Sequence, residues 1–285
     1  MIVSPSRQEV EAHPGPERFV ALSATMLADT VTPITAYRQL AQNRPNTFLL
    51  ESVEGGELLG RYSFIGCGTT ERFEFKNGQG ILNTSDGPQH IPVSDPLEVI
   101  ADRLRRRTVW SSPGLPRFHG GAAGYLGFDC VQYFEGVPLP VGEGIGLPEG
   151  VMLFADEMAI YDHLKHQLVL VTHVPLTGDR TSAHADGVAR LQAMVDTLNG
   201  PCDLGDRLWD AGGILNSPTP VSTSNRTRED YIQAVGAAKT AIEEGEVFQV
   251  VASQRLTINE QVDPLTAYRA LRALNPSPYM FYFNF

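Results

Sequence analysis

Two stretches of this sequence repeat one pattern: TPITAYRQLAQNRPNTFLLES at residues 32–52 and DPLTAYRALRALNPSPYMFYF at residues 263–283. Each begins with Thr or Asp followed by Pro, which is typical of the first residues of a helix. Each then breaks at Asn and Pro and enters an apolar run that predicts a strand. The sequence therefore predicts a helix–turn–strand unit that occurs twice, about 230 residues apart.

The rest of the chain mixes helix and strand patterns without regular alternation. Strands are predicted at 47–53, 61–82 (a hairpin turning at Asn77-Gly78), 151–161, 167–174 and 247–257, and a final strand begins near residue 279. Helices are predicted at 33–43, 96–107, 181–198 and 225–244, the last capped by Ser224 or Asn225, and one begins at Pro264. This order favours an α+β fold with a large, mostly antiparallel sheet and flanking helices.

Composition changes along the chain predict its domain organisation. Residues 1–24 form a loose lead, 25–198 an N-terminal domain, 199–224 a linker rich in Gly, Pro and Ser, and 225–285 the start of a second domain. The sequence given stops at Phe285 inside an apolar run. We therefore expect the front part of a larger protein, in which the last strand is left unpaired.

Charge and cysteine content restrict the classes of partner. A net charge of -11 argues against nucleic acid or an anionic membrane as the main partner. Arg103 and 105–107 end a predicted helix, where cations suit the helix dipole, so a solvated helix end is expected. The three cysteines are widely spaced, which suggests neither a zinc site nor a disulfide framework. With no signal peptide pattern and no apolar run of about 18 residues, a cytoplasmic protein is expected.

Two segments invite a chemical interpretation that their patterns do not favour. The glycine-rich residues 120–127 lack the spacing of a phosphate-binding loop, so close backbone packing is the expected reason for the glycines. His163 and His166, with Asp162 and His173 nearby, could be imagined as a metal site. They lie in the turn between two predicted strands, which explains their polarity without a metal.

Two short segments carry side chains suited to a small ligand. Glu51 and Ser52 end an apolar strand, where they could hold an ammonium group and a polar edge. The segment 278–280 offers a rigid proline, an aromatic ring and a thioether, which suit a pocket wall for an apolar ring. An ordinary strand exit and a core strand led by proline are the respective alternatives.

Gln249, Ser253 and Arg255 share one face of the strand predicted at 247–257, because they are separated by even numbers of residues. Burying three polar side chains on one strand face is costly unless they meet a polar ligand or one another. A solvent-exposed face is the alternative interpretation.

Seven motifs in order give a family resemblance: LLES at 49–52, GRYSFIG at 60–66, GAAGYLGFD at 121–129, DHLKH at 162–166, SNRTREDY at 224–231, GEVFQVV at 245–251 and NPSPYMF at 275–281. From about residue 25 onward the chain resembles anthranilate synthase component I, a family of chorismate-utilising enzymes. The second domain then resembles the opening of that family's chorismate-binding domain. The resemblance implies conversion of chorismate and ammonia to anthranilate and pyruvate, the first step of tryptophan biosynthesis.

The resemblance also implies Mg²⁺ as cofactor, a glutamine amidotransferase partner that delivers ammonia, and feedback inhibition by tryptophan. The implied catalytic residues and Mg²⁺ ligands lie beyond Phe285, so we expect none within this chain and no activity from it alone. The residues that would contact tryptophan are Ser52, Pro278, Tyr279 and Met280, with Glu51 and Arg61 as neighbours.

Gln249 bears on the branch of the family. Relatives that add water to chorismate carry a lysine base at the matching position, and glutamine cannot take a proton at neutral pH. The chain therefore resembles the ammonia-using branch. Alternatives are the folate-pathway aminodeoxychorismate synthase component I and a tryptophan-sensing fragment without catalysis.

Overall fold

A computed structural model describes residues 1–52, 60–137, 145–202 and 220–285 of the chain. Its contacts divide the chain into two compact units. The first contains Met1–Arg207 together with Asn275–Phe285, and the second contains Leu208–Leu274. The domain boundaries predicted from the sequence stay a prediction.

Most of the regular structure lies in the first unit. Its elements are α1 (Arg7–Ala12), β1 (Phe19–Leu27), α2 (Pro33–Ala41), β2 (Thr47–Glu51), β3 (Tyr62–Lys76), β4 (Gln79–Thr84), β5 (Gly87–Pro92), α3 (Pro96–Arg105), β6 (Val109–Ser111), β7 (Gly121–Leu126), a 3₁₀ helix (Phe128–Tyr133), β8 (Gly150–Asp162), β9 (Gln167–Pro175), α4 (Arg180–Leu198) and β12 (Met280–Asn284). Apart from β1, β5, β6 and β7, the strands of this unit follow the predicted apolar runs, and α2, α3 and α4 start within one residue of their predicted starts.

A single ten-stranded sheet organises this unit. Its main path runs β12-β2-β3-β8-β9-β1-β6, while the β4–β5 hairpin extends from β3 and β7 pairs with β8. Only the β1–β6 pair is parallel among the strands described here. The predicted α+β class with a large, mostly antiparallel sheet is confirmed.

The last strand is paired, contrary to the expectation from sequence. Strand β12 runs antiparallel to β2 along its whole length, from Met280 opposite Glu51 to Asn284 opposite Thr47. The expectation was wrong because the partner of β12 lies more than 200 positions earlier in the chain, a long-range contact that local patterns do not reveal.

The predicted hairpin turn at Asn77-Gly78 joins β3 to β4. Both residues adopt positive φ angles, 50° for Asn77 and 71° for Gly78. Positive φ at both central residues is the requirement of a type I′ turn, whose twist matches that of the flanking strands. The turn therefore fixes the register in which Lys76 lies opposite Gln79.

The lead predicted to be loose contains two elements, α1 and β1. Ser6 and Glu9 form a reciprocal capping box that starts α1. Strand β1 pairs with β9 over its full length, and its middle residues are buried. The parallel strand β6, where the sequence predicted no strand, joins the other edge of β1.

The second unit contains β10 (Ser222–Ser224), α5 (Arg228–Glu243), β11 (Leu256–Ile258) and α6 (Pro264–Leu274). The cap of α5 is Thr227, with Asp230 completing a capping box, so the predicted caps at Ser224 and Asn225 were wrong. Both of those residues instead bind the segment that follows α5. The Asn225 side chain accepts the Arg255 backbone N–H at 2.8 Å, and the Ser224 hydroxyl lies 3.1 Å from the Gln254 amide oxygen.

The strand predicted over 247–257 is absent except for its end, which forms β11. Side chains bond parts of the backbone in this segment. The Tyr231 hydroxyl donates to the Ala252 carbonyl, for example. The prediction of one polar strand face for Gln249, Ser253 and Arg255 was therefore wrong, because no ladder fixes an alternation of side chains.

The core lies on the two faces of the sheet. One cluster gathers around Phe48, Leu153 and Met158, and another around Phe73, Phe75 and Phe154. Of the residues described, no helix is both long and apolar enough to cross a membrane.

Glycine at 124 is required by close backbone packing, as the sequence predicts for this stretch. A Cβ at Gly124 would lie 1.9 Å from the Val151 carbonyl oxygen on the neighbouring strand β8. A backbone atom in a paired strand has little freedom to move away. By contrast, a Cβ at Gly136 would have no atom within 4 Å.

We predict that Gly124→Ala lowers the free energy of unfolding by about 2–3 kcal/mol, because strands β7 and β8 must separate to admit the methyl group. Gly136→Ala is the matched control and should change it by less than about 0.5 kcal/mol. Urea denaturation measures both values. Equal stability of the two variants would contradict the argument.

A cluster of charged side chains joins α3 to the sheet. Arg107 contacts both Asp156 and Glu71, and Arg103 lies 3.6 Å from the other Glu71 oxygen. The exposed fractions of the Arg103 and Arg107 side chains are only 20% and 16%. The solvated helix end that the sequence predicts is therefore wrong for these two arginines, because carboxylates on β3 and β8 lie opposite them.

Two histidines extend this cluster. His173 Nδ1 lies 3.8 Å from Asp156 Oδ1, and its Nε2 lies 3.2 Å from His119 Nδ1. Burial lowers the pKa of His173 to about 4, although Asp156 acts in the opposite direction, and the nearby His119 and Arg107 lower it further. Burial also lowers the pKa of His119. Both imidazoles are therefore neutral at pH 7.

The pKa of His173 is about 4 in the folded chain, whereas a histidine in an unfolded chain has a pKa near 6.5. Protonation therefore favours the unfolded state as the pH falls below about 6.5. We predict a loss on the order of 3 kcal/mol from this group as the pH falls from about 6.5 to about 4. His173→Gln should flatten this part of the stability–pH curve, whereas His90→Gln at an exposed position should not. Urea denaturation at several pH values tests this, and an unchanged curve for His173→Gln would contradict it.

Candidate functional site

The pairing of β2 with β12 brings together the two segments that the sequence singles out. Glu51 lies directly opposite Met280, at the end where both strands meet the surface. Ser52 follows Glu51, and Tyr279 precedes Met280. The two adjacent pairs, Glu51-Ser52 and Tyr279-Met280, are more than 200 positions apart in the sequence. In the structure they lie at one end of one strand pair.

The side chains at this end differ in exposure. Glu51 and Met280 are buried, with 4% and 6% of their surface exposed, whereas Ser52 is half-buried. Tyr279 is 79% exposed, and Pro278 is also exposed. A buried carboxylate beside a thioether, with an accessible aromatic ring next to them, can bind an ammonium group and an apolar ring together.

Helix α2 supports this strand pair from one side. The Tyr37 hydroxyl lies 2.9 Å from the Thr47 hydroxyl on β2, and its ring meets the Tyr282 ring edge-on at 5.5 Å. Burial raises the pKa of Tyr37 to about 12, so its hydroxyl stays protonated. The contact fixes α2 to both strands and so fixes their position under the site.

Aromatic rings support the pair from the other side. Phe283 on β12 lies 5.9 Å from Phe48 on β2, and it stacks on Phe285 at 5.2 Å. Phe285 in turn meets Tyr125 of β7 edge-on. Tyr282 and Phe283 therefore attach β12 to the sheet through opposite faces, as alternation along a strand requires.

Arg61, predicted as a neighbour of the tryptophan site, pairs with Asp162. Its Nε and Nη2 donate to the two carboxylate oxygens at 3.2 and 2.8 Å, and its guanidinium lies 4.8 Å from the centre of the Tyr62 ring. Burial by itself raises the pKa of Asp162. The bonds from Arg61 and from the Lys165 and Leu164 backbone outweigh it, so the pKa is lowered.

The histidines of the turn between β8 and β9 do not gather around a metal position. His163 Nε2 lies 2.8 Å from the Ser63 hydroxyl, and Asp162 pairs with Arg61. His166 takes a positive φ of 51°, as turn residues do. Within the described ranges, no group of three or more His, Cys, Asp or Glu side chains could hold a metal ion.

Gln249 lies apart from a strand, in the irregular segment that precedes β11, and its side chain is exposed. It belongs to the second unit, and Glu51 and Met280 belong to the first. The inference about the reaction branch rests on the identity of this residue alone, and it stays a prediction.

Sequence reasoning missed the pairs Arg61–Asp162 and Ser63–His163. In each pair the partners are about 100 positions apart, 101 and 100 respectively. The one available signal was their position at the ends of two predicted strands, Arg61 at the start of one and Asp162 at the end of another. That signal does not reveal which strands are neighbours.

Residues 45–285 match the family described as chorismate binding enzyme. The chain belongs to this family. Anthranilate synthase component 1 of Pseudomonas putida is 39% identical over 274 residues, which are 93% of this chain and 54% of that protein. The component 1 of Acetivibrio thermocellus is 33% identical over 99% of this chain and 57% of its own length. The chain thus spans about half the length of these curated relatives.

A solved structure shares the fold of this chorismate-binding family member. The crystal structure of anthranilate synthase component I from Streptococcus pneumoniae superimposes with a TM-score of 0.62 at 22% identity. The match covers 88% of this chain and 53% of that one. The resemblance inferred from the seven motifs is confirmed at the level of the family and of the fold.

The attachment of β12 leads to a stability prediction. Phe283→Ala should lower the free energy of unfolding by about 1–3 kcal/mol, because it removes the ring contacts with Phe48 and Phe285. Phe281→Ala, at a position that is 65% exposed, should cost less than about 1 kcal/mol. Urea denaturation, with amide exchange of Phe48–Glu51 as a local probe, distinguishes the two. If these amides exchange no faster in either variant than in the original chain, the pairing of β12 does not depend on the Phe283 contacts.

Proposed function

We propose that this chain is the regulatory part of an anthranilate synthase component I and that it binds L-tryptophan at the ends of β2 and β12. The complete protein would convert chorismate and ammonia to anthranilate and pyruvate. Tryptophan would then inhibit the first step of its own synthesis. The family membership and the printed names of the relatives support this proposal.

The observation that carries the proposal is the pairing of Glu51 with Met280. The Glu51 carboxylate suits the ligand ammonium, and the Ser52 hydroxyl suits a polar edge of the ligand. Met280 and Tyr279 offer apolar, polarisable surface for an indole ring. One strand pair thus presents groups for both ends of an aromatic amino acid.

Chorismate, ammonia and the amidotransferase partner belong to the proposed activity of the complete protein. The described residues contain no cluster of side chains that could hold Mg²⁺, so we propose no step that uses Mg²⁺ within this chain. Their proposed contribution is to bind and orient the inhibitor. Gln249, which cannot act as a base, is consistent with ammonia rather than water as the nucleophile.

Calorimetric titration of L-tryptophan into the purified chain tests the proposal. We expect saturable binding by the chain and its loss in Ser52→Phe, because the larger ring would fill the space beside Glu51 and Met280. Ser85→Phe, in the exposed turn between β4 and β5, is the matched control and should bind as the original chain does.

Met280→Ala gives a second, milder test. It should weaken tryptophan binding by about tenfold, because a buried thioether no longer faces the ring. A folded chain that binds no tryptophan would overturn the proposed site and favour the folate-pathway relative. Equal affinities of Ser52→Phe and Ser85→Phe would also overturn it.

A further inference from the structure

A polar cavity of about 210 Å³ lies between the N-terminal segment, the sheet and the loop after β6. Its lining includes Ser4, Ser23, Arg61, Ser112, Asp162 and Lys165. Arg61 is the one residue of the predicted tryptophan set among them. The cavity is therefore a feature separate from the ends of β2 and β12.

The charges that line the cavity leave an excess of one positive charge. The carboxylate of Asp162 accepts two hydrogen bonds from Arg61 and balances its charge. Lys165, whose side chain is exposed, adds a second positive charge to the lining. A guanidinium has five N–H donors, so three remain uncommitted to Asp162. This arrangement holds the guanidinium in a fixed orientation and leaves donors for an anion.

Serine hydroxyl groups also line the cavity. The Ser4 and Ser112 hydroxyls lie 3.2 Å apart, so one donates to the other and the acceptor keeps its own proton available. The hydroxyl of the buried Ser23 donates to the Ser4 carbonyl. A ligand with a hydroxyl or carbonyl group beside its charge would find both donors and acceptors here.

The N-terminal segment is a wall of the cavity because it is bound to β1. The backbone N–H of Ser4 donates to the Ser23 carbonyl at 2.9 Å, and the N–H of Ser23 donates to the Ser4 carbonyl at 2.7 Å. Arg180 of α4 further holds the end of α1 by donating to the His13 carbonyl at 2.7 Å. Occupation of the cavity and docking of residues 1–5 should therefore depend on each other.

We propose that this cavity binds a small hydroxy- or keto-monocarboxylate. The carboxylate would lie between Lys165 and Arg61, and the second polar group would face the serines. The volume suits a ligand of a few heavy atoms, which is below the usual size of sites for drug-sized ligands. The proposal stands independently of tryptophan binding at the ends of β2 and β12.

Titration of L-lactate into the full chain tests the proposal, with propanoate as a probe of the same size that lacks the hydroxyl. We expect lactate to bind with a dissociation constant on the order of 1 mM and propanoate about threefold more weakly. Affinity should fall as salt is raised, because the attraction is partly ionic. No saturation by lactate up to roughly 50 mM would overturn the proposal.

Lys165→Met should weaken lactate binding about fivefold to tenfold, because it removes the uncompensated positive charge. Lys76→Met is the matched control, since Lys76 is also an exposed lysine near a strand end but lies outside the cavity. If both variants lose lactate affinity equally, the effect comes from the net charge of the chain, and the assignment of the site is overturned.

Amide hydrogen exchange provides an independent readout. Lactate should slow exchange of the Ser4 and Ser23 amides, whose bonds hold the N-terminal segment against β1. Exchange unaffected by saturating lactate would contradict the cavity as the binding position. Ser52→Phe should leave lactate affinity unchanged and Lys165→Met should leave tryptophan affinity unchanged, so failure of either proposal can be recognised separately.

Discussion

The antiparallel pairing of β12 with β2 is the contact on which the candidate site depends. It closes a loop of more than 200 residues, and its five residue pairs run from Met280–Glu51 to Asn284–Thr47. Closing so long a loop costs conformational entropy that side-chain contacts must offset. Tyr282 and Phe283 supply such contacts on opposite faces of the strand, against Tyr37 and Phe48. The site is thus a product of long-range packing.

One cluster of charged groups in the first unit lies at the position where β8 changes its strand partner. Asp156 lies on β8 between the part of that strand that pairs with β9 and the part that pairs with β7. There it meets Arg107 and His173. Burying such groups is favourable only when each has a partner. The ion pairs of this cluster hold the end of α3 against the sheet, and its buried histidine makes the stability sensitive to acid. The stability of the chain therefore depends on the protonation state of this cluster.

Arg61 bears on both proposed ligand positions, although the structure places it in only one of them. Asp162 fixes its guanidinium, and Tyr62 supports it through its ring. The family resemblance predicts Arg61 as a neighbour of the tryptophan site, and in the structure Arg61 lines the polar cavity. Its guanidinium keeps donors for a ligand of the cavity, because Asp162 accepts only two of its five N–H groups. The two sites differ in chemistry: one offers a carboxylate and apolar surface, and the other offers positive charge and hydroxyls.

The amino-acid sequence by itself determined the local elements whose signals are short in range. Thr32 and Pro33 start α2, Asn77-Gly78 makes the turn between β3 and β4, and apolar runs mark β8 and β9. These features depend on residues within a few positions of one another. The motif order was also enough to indicate the family, since it requires no knowledge of contacts.

Only the tertiary structure decided which strands are neighbours and which side chains meet. The parallel partner of β1, the pairing of β12, the Arg61–Asp162 pair and the loss of the strand predicted at 247–257 all depend on contacts between distant parts of the chain. A strand pattern specifies a face and not a partner, because the same alternation suits any edge with a matching register. For that reason the sequence could indicate Glu51 and Met280 as candidate ligand-binding residues, but only the fold could place them opposite each other.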